Sequence, residues 1–313
     1  MSYGLPYMGS KNKIAEWVVS HFPERENFYD LFCGGCAITH RVLLTNKYQK
    51  IYFNDINGQV STLFLDAVNG KYHNETRWIT REQFFAEKET DAFIKYIWSF
   101  GHNGRTYLYG ENIEQLKKAC HEAVVNHNYI DLLEQYNIDI AEYLDQHTTT
   151  HDRRLALKRW VKKNKNEHLE RLEHLERLEH LERLQHLERL ERLERLERLE
   201  RLEHLQHLER LQQSYIDVEI KPNSFIYCDI PYKGTEDYHK KRFDHETFYN
   251  WAEKQTQPML ISEYSMSEDR FFVVDEIRKN CAFSATNKGL KTIEKLYCPM
   301  RQKDWFAKQQ TLF

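Results

Sequence analysis

Short apolar runs separated by polar, glycine or proline breaks set the pattern of this chain. Phe28–Phe32, Lys50–Phe53, Phe225–Cys228 and Met259–Tyr264 are brief and rich in aromatic and β-branched residues, as expected of strands buried on both faces. Phe271–Val274 and Thr292–Tyr297 extend the set. Between them, helical spacing appears in Ile14–Phe22, from Ile38 onward, in Val60–Val68 and in Asn112–Asn126. A further helix starts at Phe243-Asp244-His245-Glu246 and runs to about Lys254. Strands alternating with helices predict an open α/β sheet of the Rossmann-like kind, with helices on both faces.

A different pattern fills residues 167–213. Leucine recurs at every third position from Leu169 to Leu211, with Glu, Arg, His and Gln between. The residue types favour helix, Glu170–His174, Glu173–Arg177 and Glu194–Arg198 are favourable pairs four apart, and no Gly or Pro interrupts. The stretch predicts a long α-helix of about 65 Å, either continuous or folded into a hairpin. Yet a period of three turns each leucine about 60° behind the last, so the stripe winds around the helix and a regular coiled-coil seam is disfavoured. Leucines left on several sides predict self-association through this segment. Its role is to span, to dimerise or to position a neighbouring domain.

Composition narrows the picture. A chain of 313 residues buries one good-sized core, alone or with a smaller helical domain. The net charge of −3 gives no global basic field, so a nucleic-acid surface must be a local patch. The six cysteines are scattered and no signal peptide is read, which predicts reduced thiols and a cytoplasmic setting. No apolar run is long enough to span a bilayer.

Four motifs carry candidate chemistry. The run Phe225–Cys228 ends in Asp229-Ile230-Pro231-Tyr232. An acid at the carboxyl end of a strand lies where open α/β sheets bind ligands. Asp229 and a backbone carbonyl can accept both hydrogens of an amine, and Tyr232 can stack on a planar substrate. The strand Phe28–Phe32 runs into the glycine turn Cys33–Ala37 and then a helix, which brings bare backbone to a ligand. The full G-x-G-x-x-G pattern is absent, so a dinucleotide phosphate is not the natural ligand. Asp55, 21 positions after Gly34 at the end of the next strand, is placed to hold a ribose diol. Near the N-terminus, Tyr7-Met8-Gly9-Ser10-Lys11 precedes a helix and offers Tyr7 and Lys11 to a bound small molecule. Cys33-x-x-Cys36 has redox or zinc spacing, but no second ligand pair accompanies it and its glycines account for the turn.

The ordered set Y-M-G-S-K, D-L-F-C-G-G, N-D-I-N and D-I-P-Y resembles the Dam-type, D12 class adenine-specific DNA methyltransferases. The resemblance covers about residues 3–110 and 220–300. Ile230 stands where the family has the first Pro of D-P-P-Y, and Cys36 where a glycine is usual. It implies a class I methyltransferase-like core at 1–70 and 220–313, an inserted helical target-recognition region at 71–166, and the repeat helix at 167–213. The implied cofactor is S-adenosylmethionine, held by Tyr7, Lys11, Asp30, Phe32, Gly34, Asp55 and Asp229. Asp229, Ile230, Pro231 and Tyr232 would face a flipped-out adenine of double-stranded DNA, with direct in-line transfer of the methyl group to N6 and no metal. The implied setting is the cytoplasm, nucleoid-associated, of a bacterium or phage-infected cell. A cytosine-N4 or RNA amino-methyltransferase would share the amine-holding motif, and a non-catalytic DNA-binding scaffold built on the repeat remains a further alternative. A cytosine-C5 enzyme would need a Pro-Cys nucleophile, and Cys298-Pro299 is the reverse order.

Three segments bear on partners. Residues 153–165 hold seven Lys or Arg and no acid, with Arg154, Lys158, Lys162 and Lys165 on one helical face; these contact DNA phosphates or form a solvated face. Trp98–Tyr109, with Arg105, is either a loop near substrate or a buried aromatic corner. Gln309–Phe313 resembles the short peptide that docks into bacterial sliding clamps.

Overall fold

Strands β1 (Asn27–Asp30), β2 (Lys50–Asn54), β3 (Leu208–Leu211), β4 (Ser224–Asp229), β5 (Met259–Glu263), β6 (Phe271–Asn280) and β7 (Lys291–Pro299) form one sheet in the order β3-β2-β1-β4-β5-β7-β6. The computed structural model describes residues 3–73, 75–169, 199, 207–233, 243–280 and 291–310. β3, β2, β1, β4 and β5 are mutually parallel, and β7 runs antiparallel to both β5 and β6. This is the class I methyltransferase-like arrangement. The strand order reverses between β1 and β4, and such a switch point opens a crevice at the carboxyl ends of the strands.

In chain order the helices are α1 (Ala15–Ser20), α2 (Ala37–Leu43), α3 (Gly58–Val68), α4 (Arg81–Glu87), α5 (Ala92–Ile97), α6 (Glu111–Asn126), α7 (Ile130–Tyr136), α8 (Ala141–Leu144), α9 (Thr150–Leu169), α10 (His245–Lys254) and α11 (Lys303–Gln310). Contacts divide the chain into two units. One comprises Met1–Leu5, Gly9–Leu65 and Leu202–Phe313; the other comprises Pro6–Met8 and Asp66–Arg201.

In the sheet unit, alternate strand residues serve opposite faces. On one face Phe22, at the end of α1, packs on Phe28, Phe225 and Tyr227, while Phe64 of α3 meets Phe53 edge-on. On the other, Tyr29 stacks on Tyr52 at 4.5 Å, and Ile226, Cys228, Met259 and Ile261 pack with Phe248 and Ala252 of α10. Both faces are dry, which is why the central strands read as continuous apolar runs. β1 ends two residues earlier than its pattern predicts, because Leu31 and Phe32 already belong to the turn that leaves the sheet.

The sheet also corrects the reading of the repeat. Leu208–Leu211, expected in a long helix, form β3, in parallel register with Ile51–Asn54 of β2. The free edge of β2 offers a row of backbone groups, and pairing with it overrides the local helix preference of Leu-Glu-Arg-Leu. Residues 170–198 and 200–206 lie outside the described residues, so the predicted helix there is not described. Asn54 fastens the exit from β3: its Nδ2 donates to Leu31 O at 3.0 Å and to Gln213 O at 3.1 Å, and its Oδ1 accepts from Gln213 N at 3.1 Å.

In the helical unit, Thr80 and Gln83 form a capping box that starts α4, and Asp91 caps α5. Trp98, Tyr107, Leu108 and Tyr109 are all buried, and Trp78 stacks on Tyr109 at 5.6 Å. The two ends of the 98–109 segment therefore form a buried aromatic corner, with Phe100, Arg105 and Thr106 exposed between them. Among the described residues no helix is long and apolar enough to cross a membrane.

Asn54→Ala leaves three backbone groups without their partner. The expected cost is about 2–3 kcal/mol in a urea denaturation midpoint at unchanged m-value. A loss under about 0.5 kcal/mol would show that the clasp does not hold β1, β2 and the repeat exit together.

Candidate active site

The carboxyl edge of the sheet gathers acids. Asp30 ends β1, Asp55 follows β2, Asp229 ends β4 and Glu263 ends β5. β7 runs the other way, so its early residue Glu294 reaches the same edge.

The turn after β1 is built tightly. Cys33 N donates to Asn54 O at 2.9 Å and Cys36 N to Cys33 O at 2.7 Å. Gly34 N donates to Asp55 Oδ2 at 3.0 Å, and Asn57 N to Asp55 Oδ1 at 2.7 Å. Asp55 thus couples the glycine turn to the end of β2. The N-terminal segment lies against this turn: Leu5 N donates to Gly35 O at 2.7 Å, and a Cβ on Gly4, whose φ is +61°, would come within 2.3 Å of that same oxygen. Cys36 has a φ of 57°, which explains why glycine is usual there in the family it resembles. Burial pushes the Cys33 and Cys36 thiols up, with neighbouring carboxylates adding to it, so neither is poised as a thiolate. Among the described residues no cluster of three or more His, Cys, Asp or Glu has metal-site geometry.

Asp30 is 1% exposed. Its Oδ2 accepts from Thr39 Oγ1 of α2 at 2.7 Å, while its Oδ1 is buried with no hydrogen-bond partner among the described residues. Burial, aided by the charges of Asp229 and Asp55 and opposed by the Thr39 bond, pushes its pKa up to about 7. A buried acceptor left unmatched beside a glycine turn suits a ligand that brings a cation or donor.

Lys11 lies at the centre of the acids. Its Nζ is 2.5 Å from Asp229 Oδ1 and 3.6 Å from Glu294 Oε1. It also stands 4.5 Å from the centroid of the Tyr232 ring. Burial alone would lower the Lys11 pKa, but Asp229 and Glu294 outweigh it and the ammonium is held charged. Tyr232 donates its hydroxyl to Glu294 and meets Tyr264 edge-on at 4.5 Å. Burial first, then Asp229 and Glu294, push the Tyr232 phenol well up, so it stays a donor.

The turn after β4 is pinned from three sides. Ile230 is buried in the core beside Phe248 and Met259, which explains how an aliphatic residue substitutes for the family's proline there. His245 Nε2 donates to Pro231 O at 2.9 Å. Glu263 accepts from Lys233 N at 3.1 Å and Tyr264 N at 2.7 Å, and its pKa is raised to about 7, chiefly by burial and then by Glu294 and Asp229. Phe32 turns to an aromatic wall of Tyr215, Phe243 and Phe248.

The sheet unit therefore brings together Lys11, Asp30, Phe32, Gly34, Asp55 and Asp229 to Tyr232. Tyr7 belongs to the helical unit, where its ring meets Tyr96. Of the proposed DNA contacts, Arg105 and Lys162 are exposed and Lys158 is half-buried. Arg154 is buried at 5% exposure, on the α9 side that carries Leu157 and Val161, so a phosphate role for it is corrected. The Lys165 side chain lies outside the described residues. Glu263, Glu294 and His245 were not singled out by motif.

A parallel sheet with one reversed strand, a glycine turn after β1, an acid after β2 and an acid–tyrosine turn after β4 define a class I methyltransferase. A family model for D12 class N6 adenine-specific DNA methyltransferase matches residues 7–283, nearly the whole chain. The chain belongs to that family, and its activity is S-adenosylmethionine-dependent N6-methylation of adenine in DNA. Comparison with curated proteins finds none that matches.

Asp30 binds a proton more tightly in the folded chain than near its ordinary 3.8. Its neutral form thus contributes stability below about pH 4 that is lost as pH rises through about 7. Asp30→Asn is expected to flatten the decline of urea-unfolding stability between pH 5 and 8 by roughly half, since Glu263 titrates in the same window. An unchanged slope would show that the elevated carboxyl is not Asp30.

Proposed function

We propose that the chain methylates an adenine rotated out of duplex DNA, by direct transfer to the amino nitrogen. The Asp229 carboxylate and the Ile230 carbonyl accept the two N–H groups and draw the nitrogen lone pair out of conjugation with the ring. Tyr232 replaces the stacking lost when the base leaves the helix, and Pro231 keeps the turn rigid. S-adenosylmethionine supplies an electrophilic methyl group when bound. Asp55 would hold its ribose hydroxyls, the unmatched Asp30 oxygen and Lys11 its methionine end, and Gly34 and Phe32 its flanks. The new C–N bond would form as the C–S bond breaks, the methylated nitrogen would then lose one N–H proton to solvent by way of the Asp229 carboxylate, and the protein contributes alignment and charge complementarity rather than a covalent link. The observation that supports this reading best is the pairing of Asp229 and Tyr232 at the tip of β4 beside the unmatched acceptor of Asp30.

The core is assigned to 1–70 and 220–313 together with β3, and target recognition to 71–166. There Arg105, Lys158, Lys162 and Lys165 contact phosphates, without Arg154. The 167–213 repeat, apart from β3, positions that region and self-associates. Gln309–Phe313, of which the last three residues lie outside the described set, docks on a sliding clamp, and the enzyme works in the cytoplasm.

Nucleoside analysis of DNA from cells producing the protein is expected to give N6-methyladenine. Asp229→Asn should reduce the rate by about 10²–10³-fold, with S-adenosylmethionine affinity by calorimetry changed less than threefold. N4-methylcytosine as product, or full activity in Asp229→Asn, would overturn the assignment.

A further inference from the structure

Asp229 is asked to accept an amine, yet its Oδ1 is already engaged. The Lys11 ammonium lies on it at 2.5 Å and close to the Tyr232 ring, so a cation occupies the pair of groups assigned to the base. Adenine brings a neutral amino group that becomes positive as the methyl is received. A cation held against Asp229 would oppose that charge, and its removal to bulk solvent would leave buried carboxylates unpaired.

Glu294 offers the alternative. It is fully buried on β7, 3.6 Å from the same Nζ, and lies outside the stretch that the family model matches. It also accepts the Tyr232 hydroxyl, so it touches both the cation and the stacking ring. We propose that Glu294 is a positioning residue that receives Lys11 when the target base enters, freeing Asp229 for the amine while keeping the ammonium neutralised inside the site. The proposal rests on the flipped-adenine reading above. The cation moves between two carboxylates about an ångström apart in their distances from it, and no charge leaves the protein.

Glu294→Gln is the discriminating change. The amide still accepts from Tyr232 and fills the same space, but it cannot neutralise Lys11. Lys11 is then held on Asp229, and base entry becomes harder while cofactor binding does not. The test uses a duplex bearing the site methylated by the wild type, with the target adenine kept and 2-aminopurine placed beside it to report its unstacking. Glu294→Gln is expected to lower the fluorescence gain on binding and to raise KM for DNA about tenfold, equivalent to one lost charge-assisted hydrogen bond. S-adenosylmethionine affinity should stay within twofold. Tyr232→Phe, which keeps the ring and the Glu294 charge and removes only the hydroxyl bond to Glu294, should leave the ammonium transfer intact. In a Lys11→Met background, Glu294→Gln should have no further effect on the fluorescence gain, since there is no cation to receive. Equal losses in both backgrounds, or a Glu294→Gln enzyme with wild-type KM and fluorescence, would overturn the proposal. A wild type that makes no N6-methyladenine would defeat the parent reading, and this one with it.

Discussion

Charge neutralisation at the carboxyl edge of the sheet governs this molecule. Parallel strands deliver their last residues to one edge, and in β1, β4 and β5 those residues are acids. Asp30, Asp229 and Glu263 crowd a region from which water is largely excluded, with Glu294 added from β7. Such a cluster is costly unless protons, cations or backbone donors offset it. The chain uses all three: Asp30 and Glu263 hold protons up to about pH 7, Lys11 bridges Asp229 and Glu294, and the amides of Lys233 and Tyr264 serve Glu263. The same excess of acceptors suits a cofactor that is cationic and a substrate that becomes so.

Topology explains how Glu294 comes to matter. In a wholly parallel sheet the edge would receive only the ends of strands. Because β7 is reversed, it contributes its beginning, and a residue far from every recognised motif reaches Lys11 and Tyr232. The turn after β4 is likewise set by parts remote in sequence, with His245 from the start of α10 on Pro231 and Glu263 from β5 on Lys233.

Much of this was legible in the sequence where local chemistry decides. Doubly buried strands such as Phe225–Cys228 read as apolar runs, and the Gly34 turn and the acids Asp55 and Asp229 stood at strand ends because strand ends hold ligands. What was not legible depended on pairing at a distance. Leu208–Leu211 carry the repeat's helical pattern, and only the open edge of β2 makes them a strand. Arg154 shares the spacing of Lys158 and Lys162, but its unit buries it. Asn54 looked like the flank of Asp55, although it ties three backbone groups together. Glu294 carried no spacing signal, since its partners lie 62 and 283 positions away.

The central claim is that the acceptor on Asp229 is covered by the Lys11 ammonium until a target base takes its place. A crystal structure of the protein with S-adenosylhomocysteine and a duplex bearing its methylation site tests this most directly. The account predicts the extrahelical adenine amino group on Asp229 and the Ile230 carbonyl, with Lys11 moved onto Glu294. An adenine bound elsewhere, or seated at Asp229 with the lysine unmoved, would contradict it.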